Sequence, residues 1–137
     1  MSILAIDAGN TRIKWAWYAH GAWQKQGWTP TAQPQLKTQW ADLSAPSRII
    51  VSNVAGSATE HAIASACQHW SALPLHIRPQ PAQCGVSNGY SEPERLGSDR
   101  WAALIAAHHL HPGRDLLVVQ AGTAVTIDTL SAHGHFR

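Results

Sequence analysis

The sequence contains one short design twice: an apolar strand runs into a polar residue, Ala-Gly and a second polar residue, and another strand follows. The first copy spans Ile3–Asn10 and the second spans Leu116–Thr123. Glycine lets the backbone N–H groups of such a turn approach an anion closely, because no Cβ stands in the way. A plain hairpin turn has the same composition, so one copy alone favours a simple turn. Two matched copies favour phosphate binding and a duplicated α/β architecture.

The position of the second copy predicts how the chain divides. Residues 1–113 are expected to form a first domain with the first turn and a substrate loop, and residues 114–137 to begin a second domain. That second domain is expected to be truncated, because the chain ends at Arg137 soon after the second hairpin.

Composition narrows the class of protein. Hydrophobic residues make up 45% of the 137 residues, which is enough to bury a core. Only 13% of the residues are charged and the net charge is +2. The sequence has no basic stripe, so we expect no direct contact with nucleic acid. The sequence has no apolar run long enough to span a membrane and no signal peptide, and Cys67 and Cys84 form no C-x-x-C motif. We therefore expect a cytoplasmic location without membrane contact.

Hydrophobic periodicity predicts the elements of the first part of the chain. We expect an antiparallel meander of three strands, then a loop over Pro30–Ser47 that holds one short helix, and then a buried strand. The predicted strands are Ile3–Ile6, Ile13–Tyr18, Ala22–Thr29 and Arg48–Ser52. A helix from near Ser57 or Thr59 follows, with Ile63, Ala66, Cys67 and Trp70 on one face, and Leu75–Ile77 is a further strand.

The later part reads as a long irregular stretch, a helix and two strands. Pro79–Glu94 carries prolines and glycines and is typical of a binding loop. Ser98 and Asp99 open a helix that ends near Pro112-Gly113. Its apolar face consists of Trp101, Leu104, Ile105 and His108, and the strands that follow are Leu116–Val119 and Val125–Leu130.

Three charged side chains near the first turn suit phosphate chemistry. Asp7 is a candidate Mg²⁺ ligand, and Arg12 and Lys14 share one face of the second strand. A turn carboxylate and a solvated strand face are the structural alternatives, and for Lys14 the two readings are equally favoured. A P-loop enzyme is excluded, because G-x-x-x-x-G-K-[S/T] is absent.

Asp99 lies in the first turn of a predicted helix, where the helix dipole favours its ionised form. An ionised carboxylate there can accept a proton from a hydroxyl, and Arg100 can pair with a carboxylate on a substrate. An Asp in a first helical turn is also common for helix stability alone, and the residues by themselves slightly favour that explanation. The histidines His108, His109 and His111 are read as helix C-terminal residues rather than as zinc ligands.

Four segments in the same order resemble type III pantothenate kinases. They are Ile3–Lys14, Gly85–Tyr90, Leu96–Ala103 and Ala121–Asp128. The resemblance covers nearly the whole chain and implies an α/β fold of the actin, hexokinase and Hsp70 superfold, with a ribonuclease H-like domain and a mixed sheet. It implies ATP-dependent phosphorylation of pantothenate, the first step of coenzyme A biosynthesis, by a cytoplasmic homodimer.

The resemblance also implies roles for individual residues. Asp99 is expected to be the proton acceptor, and Asp7 to bind Mg²⁺. Residues expected to bind ATP are Asp7, Ala8, Gly9, Asn10, Thr11, Arg12, Ile13, Lys14 and Thr123. Residues expected to bind pantothenate are Tyr90, Gly97, Ser98, Asp99 and Arg100.

The chain departs from the family pattern in two ways. Gln120 stands where family members have an Asp that resembles a ligand for potassium or ammonium, so we expect weak or absent potassium dependence. The chain is also about half as long as family members. Two alternatives follow: a non-catalytic accessory protein of the same fold, favoured mildly by Gln120 and the length, or another small-molecule kinase of the superfold. The second would lack the set formed by Tyr90 and Gly97–Arg100.

Overall fold

The computed structural model describes residues 1–137. The first part of the chain folds into a five-stranded mixed sheet. The residues separate into two units, 1–77 and 78–137. The elements of the first unit are β1 (Ile3–Ala8), β2 (Arg12–Ala19), β3 (Ala22–Pro30), α1 (Leu36–Gln39), β4 (Arg48–Asn53), α2 (Ser57–Cys67) and β5 (Pro74–His76).

The strand order of this sheet is β3-β2-β1-β4-β5. Strands β1, β2 and β3 are antiparallel neighbours, whereas β4 pairs parallel to β1 and β5 parallel to β4. The predicted meander, the strand after it and the short helix in the loop are therefore confirmed. The predicted α/β class with a mixed sheet is confirmed as well.

Alternation of side chains explains which face of the sheet is buried. Along β2, the side chains of Ile13, Trp15 and Trp17 are buried, while those of Arg12 and Lys14 are exposed. A strand places successive side chains on opposite faces, so this pattern gives one apolar, buried face and one more solvent-exposed face. The predicted common face of Arg12 and Lys14 is confirmed.

Helix α2 contributes the predicted apolar stripe to the core of the first unit. Ile63, Ala66 and Cys67 are buried, and Trp70 just beyond the helix is buried with them. The Trp40 and Trp70 rings stack with their centroids 5.8 Å apart. Five of the seven tryptophans are buried, whereas Trp23 and Trp28 are exposed.

The second unit is built around one helix and one long hairpin. Its elements are β6 (Ala82–Gln83), β7 (Val86–Ser87), a 3-10 helix (Pro93–Arg95), α3 (Ser98–Leu110), β8 (Leu116–Ala121) and β9 (Val125–Leu130). Helix α3 was predicted with nearly these bounds, and β8 extends two residues beyond the predicted end at Val119. The stretch predicted to be irregular contains the β6–β7 hairpin and the 3-10 helix. None of the helices in the structure is long and apolar enough to cross a membrane.

The β8–β9 hairpin has two different faces. Gln120 and Thr126 are paired in register, as are Val118 and Asp128, and these side chains lie on the less exposed face. The opposite face leaves four large apolar side chains exposed, namely Leu117, Val119, Val125 and Ile127.

Candidate functional site

The first phosphate-binding turn predicted from the sequence connects β1 to β2. The backbone N–H of Gly9 donates to the carbonyl oxygen of Arg12 at 2.9 Å. Thr31, the residue after β3, holds the turn: its hydroxyl donates to the Gly9 carbonyl at 2.6 Å, and its N–H donates to the Thr11 carbonyl at 3.0 Å. The turn is thus held in one shape by hydrogen bonds from a neighbouring segment.

Charged groups surround this turn. Asp7 and Lys14 face each other across β1 and β2, and Lys14 Nζ lies 3.8 Å from Asp7 Oδ2. The guanidinium carbon of Arg12 lies 4.5 Å from the centre of the Trp28 ring, a cation–π distance. About half of the Asp7 side chain is exposed (52%), so the carboxylate is accessible from solvent.

The second predicted turn connects β8 to β9 and is one residue shorter. Ala8 pairs with Ile13 across the first turn, whereas Ala121 pairs with Val125 across the second. In the second turn the Gly122 N–H donates to the Ala124 carbonyl at 3.0 Å. In both turns the glycine N–H therefore donates to a carbonyl within the same loop. The two turns resemble each other in this hydrogen bond, as predicted, but differ in length. Thr123 lies exposed at the tip of the second turn.

Gln120 lies at the end of β8 and contacts the start of α3. Its amide N–H donates to the backbone carbonyl of Asp99, and its amide oxygen accepts from the Thr126 hydroxyl, each at 3.4 Å. These bonds are long and therefore weak. The Gln120 amide thus directs an N–H donor at the Asp99 carbonyl. A cation bound at this position would need oxygen acceptors instead.

Helix α3 begins at the predicted substrate segment. Gly97 is the N-cap residue, and its carbonyl accepts the first helical hydrogen bond from Trp101 at 3.0 Å. Ser98 is buried, and Asp99 follows in the first turn. One oxygen of the Asp99 carboxylate accepts the N–H of Arg100 at 2.8 Å, which holds the carboxylate at the helix start.

Arg100 is the centre of a polar and aromatic cluster. Its Nε donates to Asp128 Oδ2 at 3.0 Å, its Nη2 donates to Asp128 Oδ1, and its Nη1 donates to the Tyr90 hydroxyl at 3.3 Å. The Tyr90 and Phe136 rings each lie 5.9 Å from the guanidinium carbon. The hydrogen bonds that Arg100 donates to Asp128 raise the already high pKa of Arg100, so the guanidinium stays charged at any accessible pH.

The structure thus brings Tyr90 and Arg100, two of the predicted substrate residues, into contact, and Asp99 precedes Arg100 in the first turn of α3. The residues predicted to bind ATP at the first turn belong to the first unit, and Thr123 belongs to the second. Asp128 and Phe136 had no predicted role. A signal for Asp128 exists, because it shares a strand face with buried Leu130 two residues later, and a carboxylate on a buried face is unusual.

The histidines of α3 take part in no metal site that the structure describes. No group of three or more His, Cys, Asp or Glu side chains lies close enough together to hold a metal ion. Among the histidines of the second unit, His135 hydrogen-bonds through Nδ1 to the Ser87 hydroxyl, which links the chain end to β7.

Comparison with known proteins gives one consistent family. The family model described as type III pantothenate kinase matches residues 3–137. A type III pantothenate kinase of Nitrosospira multiformis is 46% identical over 135 residues, covering 98% of this chain and 51% of the relative. One of Burkholderia thailandensis is 46% identical over 142 residues, covering 97% of this chain and 52% of the relative. The chain therefore spans about half the length of the curated relatives it matches.

Solved structures are more distant. Two structures of the Ppx/GppA protein from Aquifex aeolicus are each 15% identical to this chain and cover all of it. Their TM-scores are 0.42 and 0.44, and the chain covers 49% and 50% of theirs.

Proposed function

This chain belongs to the type III pantothenate kinase family, and we propose that it supplies phosphate-binding and pantothenate-binding residues to an enzyme that phosphorylates pantothenate with ATP. The product would be phosphopantothenate, formed in the first step of coenzyme A biosynthesis. The observation that carries the proposal is the start of α3, where the carboxylate of Asp99 accepts the backbone N–H of Arg100 and the Arg100 side chain is held by Asp128. The proton acceptor and the carboxylate-binding group would thus be neighbouring residues of one helix.

The turn between β1 and β2 would bind the phosphates of ATP. Its rigid backbone, with Thr31 bonded to both Gly9 and Thr11, suits close approach of an anion. Lys14 and Arg12 would supply positive charge. Thr123 would bind the nucleotide from the tip of the second turn.

Asp7 would hold Mg²⁺ together with the ATP phosphates. Its accessible carboxylate fits this ion, because Mg²⁺ is usually bound by one or two carboxylates plus substrate phosphates and water. When bound, the ion would neutralise charge on the phosphates during transfer.

Asp99 would accept the proton of the pantothenate hydroxyl. The hydroxyl oxygen then forms a bond to the γ-phosphorus, the bond from that phosphorus to the bridging oxygen breaks, and ADP leaves with the electron pair. The acceptor carboxylate is already placed by its bond to the Arg100 N–H, which limits the reorientation needed at the moment of transfer. Tyr90, Gly97 and Ser98 would line the pantothenate site.

Three finer properties belong to the same proposal. The enzyme would act in the cytoplasm, and potassium or ammonium would have little effect because Gln120 brings no charge to the cation position. It would form a homodimer. The exposed apolar face of the β8–β9 hairpin supports an interface with a second copy of the chain, because large apolar patches are rare on monomers. Sedimentation of the purified protein tests the dimer, and a monomer at micromolar concentration would contradict it.

Pantothenate-dependent formation of ADP from ATP and Mg²⁺ tests the proposed function. We expect ADP release that requires pantothenate and yields phosphopantothenate, detected by mass spectrometry. ATP hydrolysis that pantothenate does not stimulate would contradict the proposal. If calorimetry also detects no binding of pantothenate, the accessory-protein alternative replaces it.

A further inference from the structure

Asp128 is the most completely buried carboxylate of the second unit that takes part in an ion pair. Only 2% of its side chain is exposed, whereas 24% of its partner Arg100 is exposed. A ligand in solvent can therefore reach the guanidinium but not the carboxylate. Asp128 can therefore influence a bound ligand only through Arg100.

The pairing leaves a defined set of donors on Arg100. A guanidinium has five N–H groups in a planar fork. Asp128 accepts one from Nε and one from Nη2, and the Tyr90 hydroxyl accepts one from Nη1. One N–H on each terminal nitrogen remains, and such a pair of donors matches the two oxygens of a second carboxylate.

Stability alone explains this arrangement poorly. Replacing a buried ion pair by apolar side chains of similar volume is often neutral or stabilising, so burying Asp128 gives the fold little net gain. The other neighbours of Arg100 are the Tyr90 and Phe136 rings, which contact each other with centroids 5.6 Å apart. The guanidinium is thus fixed in the plane by Asp128 and bordered by aromatic rings.

We propose that Asp128 is a positioning residue, which orients Arg100 so that its two remaining N–H groups bind the carboxylate of the acceptor substrate. This inference rests on the proposed function, which supplies a substrate that carries a carboxylate. Asp128 would therefore control affinity for pantothenate and discrimination against analogues that lack its carboxylate. It would not touch the substrate or the transferred phosphoryl group.

The test compares pantothenate with pantothenyl alcohol, in which a CH₂OH group replaces the carboxylate, for the unmodified protein and Asp128→Asn. We expect the variant to raise the KM for pantothenate about 10- to 100-fold, the usual worth of a charged hydrogen bond. The KM for pantothenyl alcohol, the KM for ATP and kcat at saturating pantothenate should stay nearly unchanged. Asp128→Glu keeps the charge and should restore part of the affinity for pantothenate.

Asp115→Ala is the matched control. Asp115 accepts the Ala132 N–H at 2.7 Å, so this variant loosens the same hairpin without removing a contact of Arg100. We expect it to lower the melting temperature while leaving the ratio of the two KM values unchanged.

Four results would overturn the positioning role. On a purely structural account, Asp128→Asn raises both KM values equally. That result contradicts the proposal while leaving the kinase function intact, and so does an unchanged KM for pantothenate. If Asp128→Asn does not fold, Asp128→Ser takes its place, and a wild-type KM ratio in that folded variant contradicts the proposal. If the unmodified protein neither binds nor phosphorylates pantothenate, the proposed function fails and the positioning role fails with it.

Discussion

Gly89 lies directly against the backbone carbonyl of Phe136, with no room between them for a side-chain carbon. The obstacle is main chain rather than a flexible side chain, so it cannot move aside cheaply. Phe136 is buried, and its ring contacts Tyr90, the residue that follows Gly89. A side chain at Gly89 would therefore disturb the aromatic border of Arg100.

Gly89→Ala is expected to destabilise the protein by about 1–3 kcal/mol, the usual cost of forcing extra volume into a packed site. It should also weaken pantothenate binding, because Tyr90 loses its packing against Phe136. Urea unfolding measures the first effect and calorimetry the second. Gly122→Ala is the matched stability control, since a Cβ there would meet only ordinary contacts. Equal stability of the two variants would contradict the prediction.

Gln120 predicts weak or absent activation by potassium. Its amide donates to the Asp99 carbonyl and carries no negative charge, so a monovalent cation gains little there. Pantothenate-dependent turnover should be nearly the same in potassium, ammonium and sodium chloride at equal ionic strength. Gln120→Asp should introduce activation by potassium. A steep potassium dependence of the unmodified protein would contradict this account.

The two cysteines are expected to differ in reactivity. Burial raises the pKa of the Cys67 thiol from its ordinary 9.0 to about 11, whereas Cys84 is exposed. Near neutral pH, one thiol per folded chain should react rapidly with iodoacetamide, and peptide mapping should assign it to Cys84. Both should react in urea. Rapid alkylation of Cys67 in the folded protein would show that α2 packs less tightly than the structure indicates.

The same shift predicts how stability varies with pH. The folded state holds the Cys67 proton more tightly than the unfolded state does, so this contribution is present below about pH 9. It is lost as the pH rises through about 11. The free energy of unfolding should therefore fall over this window, and Cys67→Ala should show a smaller fall. Identical slopes for the two proteins would contradict the assignment.

Hydrophobic periodicity predicted the longer elements well. Ile63, Ala66 and Cys67 recur at helical spacing, and the structure buries all three on α2. The β6–β7 hairpin was missed because strands of two residues carry no alternation. Its turn is also uncommon, since Cys84 (φ 51°) and Gly85 (φ 80°) both have positive φ, a conformation that usually selects Asn-Gly.

From the residues alone, the candidate site was predictable only where its residues are adjacent in sequence, and Tyr90 was predicted only through the family resemblance. Asp99 and Arg100 could be singled out because one helix start carries both. The pairing of Arg100 with Asp128 depends on how β9 lies beside α3, and no local pattern encodes a contact across 28 positions. The roles assigned to the two phosphate turns stay predictions.

The central claim is that Asp99 accepts the proton of the pantothenate hydroxyl, and single-turnover kinetics of Asp99→Asn tests it most directly. The Asn side chain keeps an oxygen to accept the Arg100 N–H, so the helix start should be preserved. The account predicts a phosphoryl-transfer rate lowered about 100- to 10,000-fold, the usual contribution of a general base, with little change in the Kd for ATP. A variant that folds normally and transfers the phosphoryl group at the unmodified rate would contradict it.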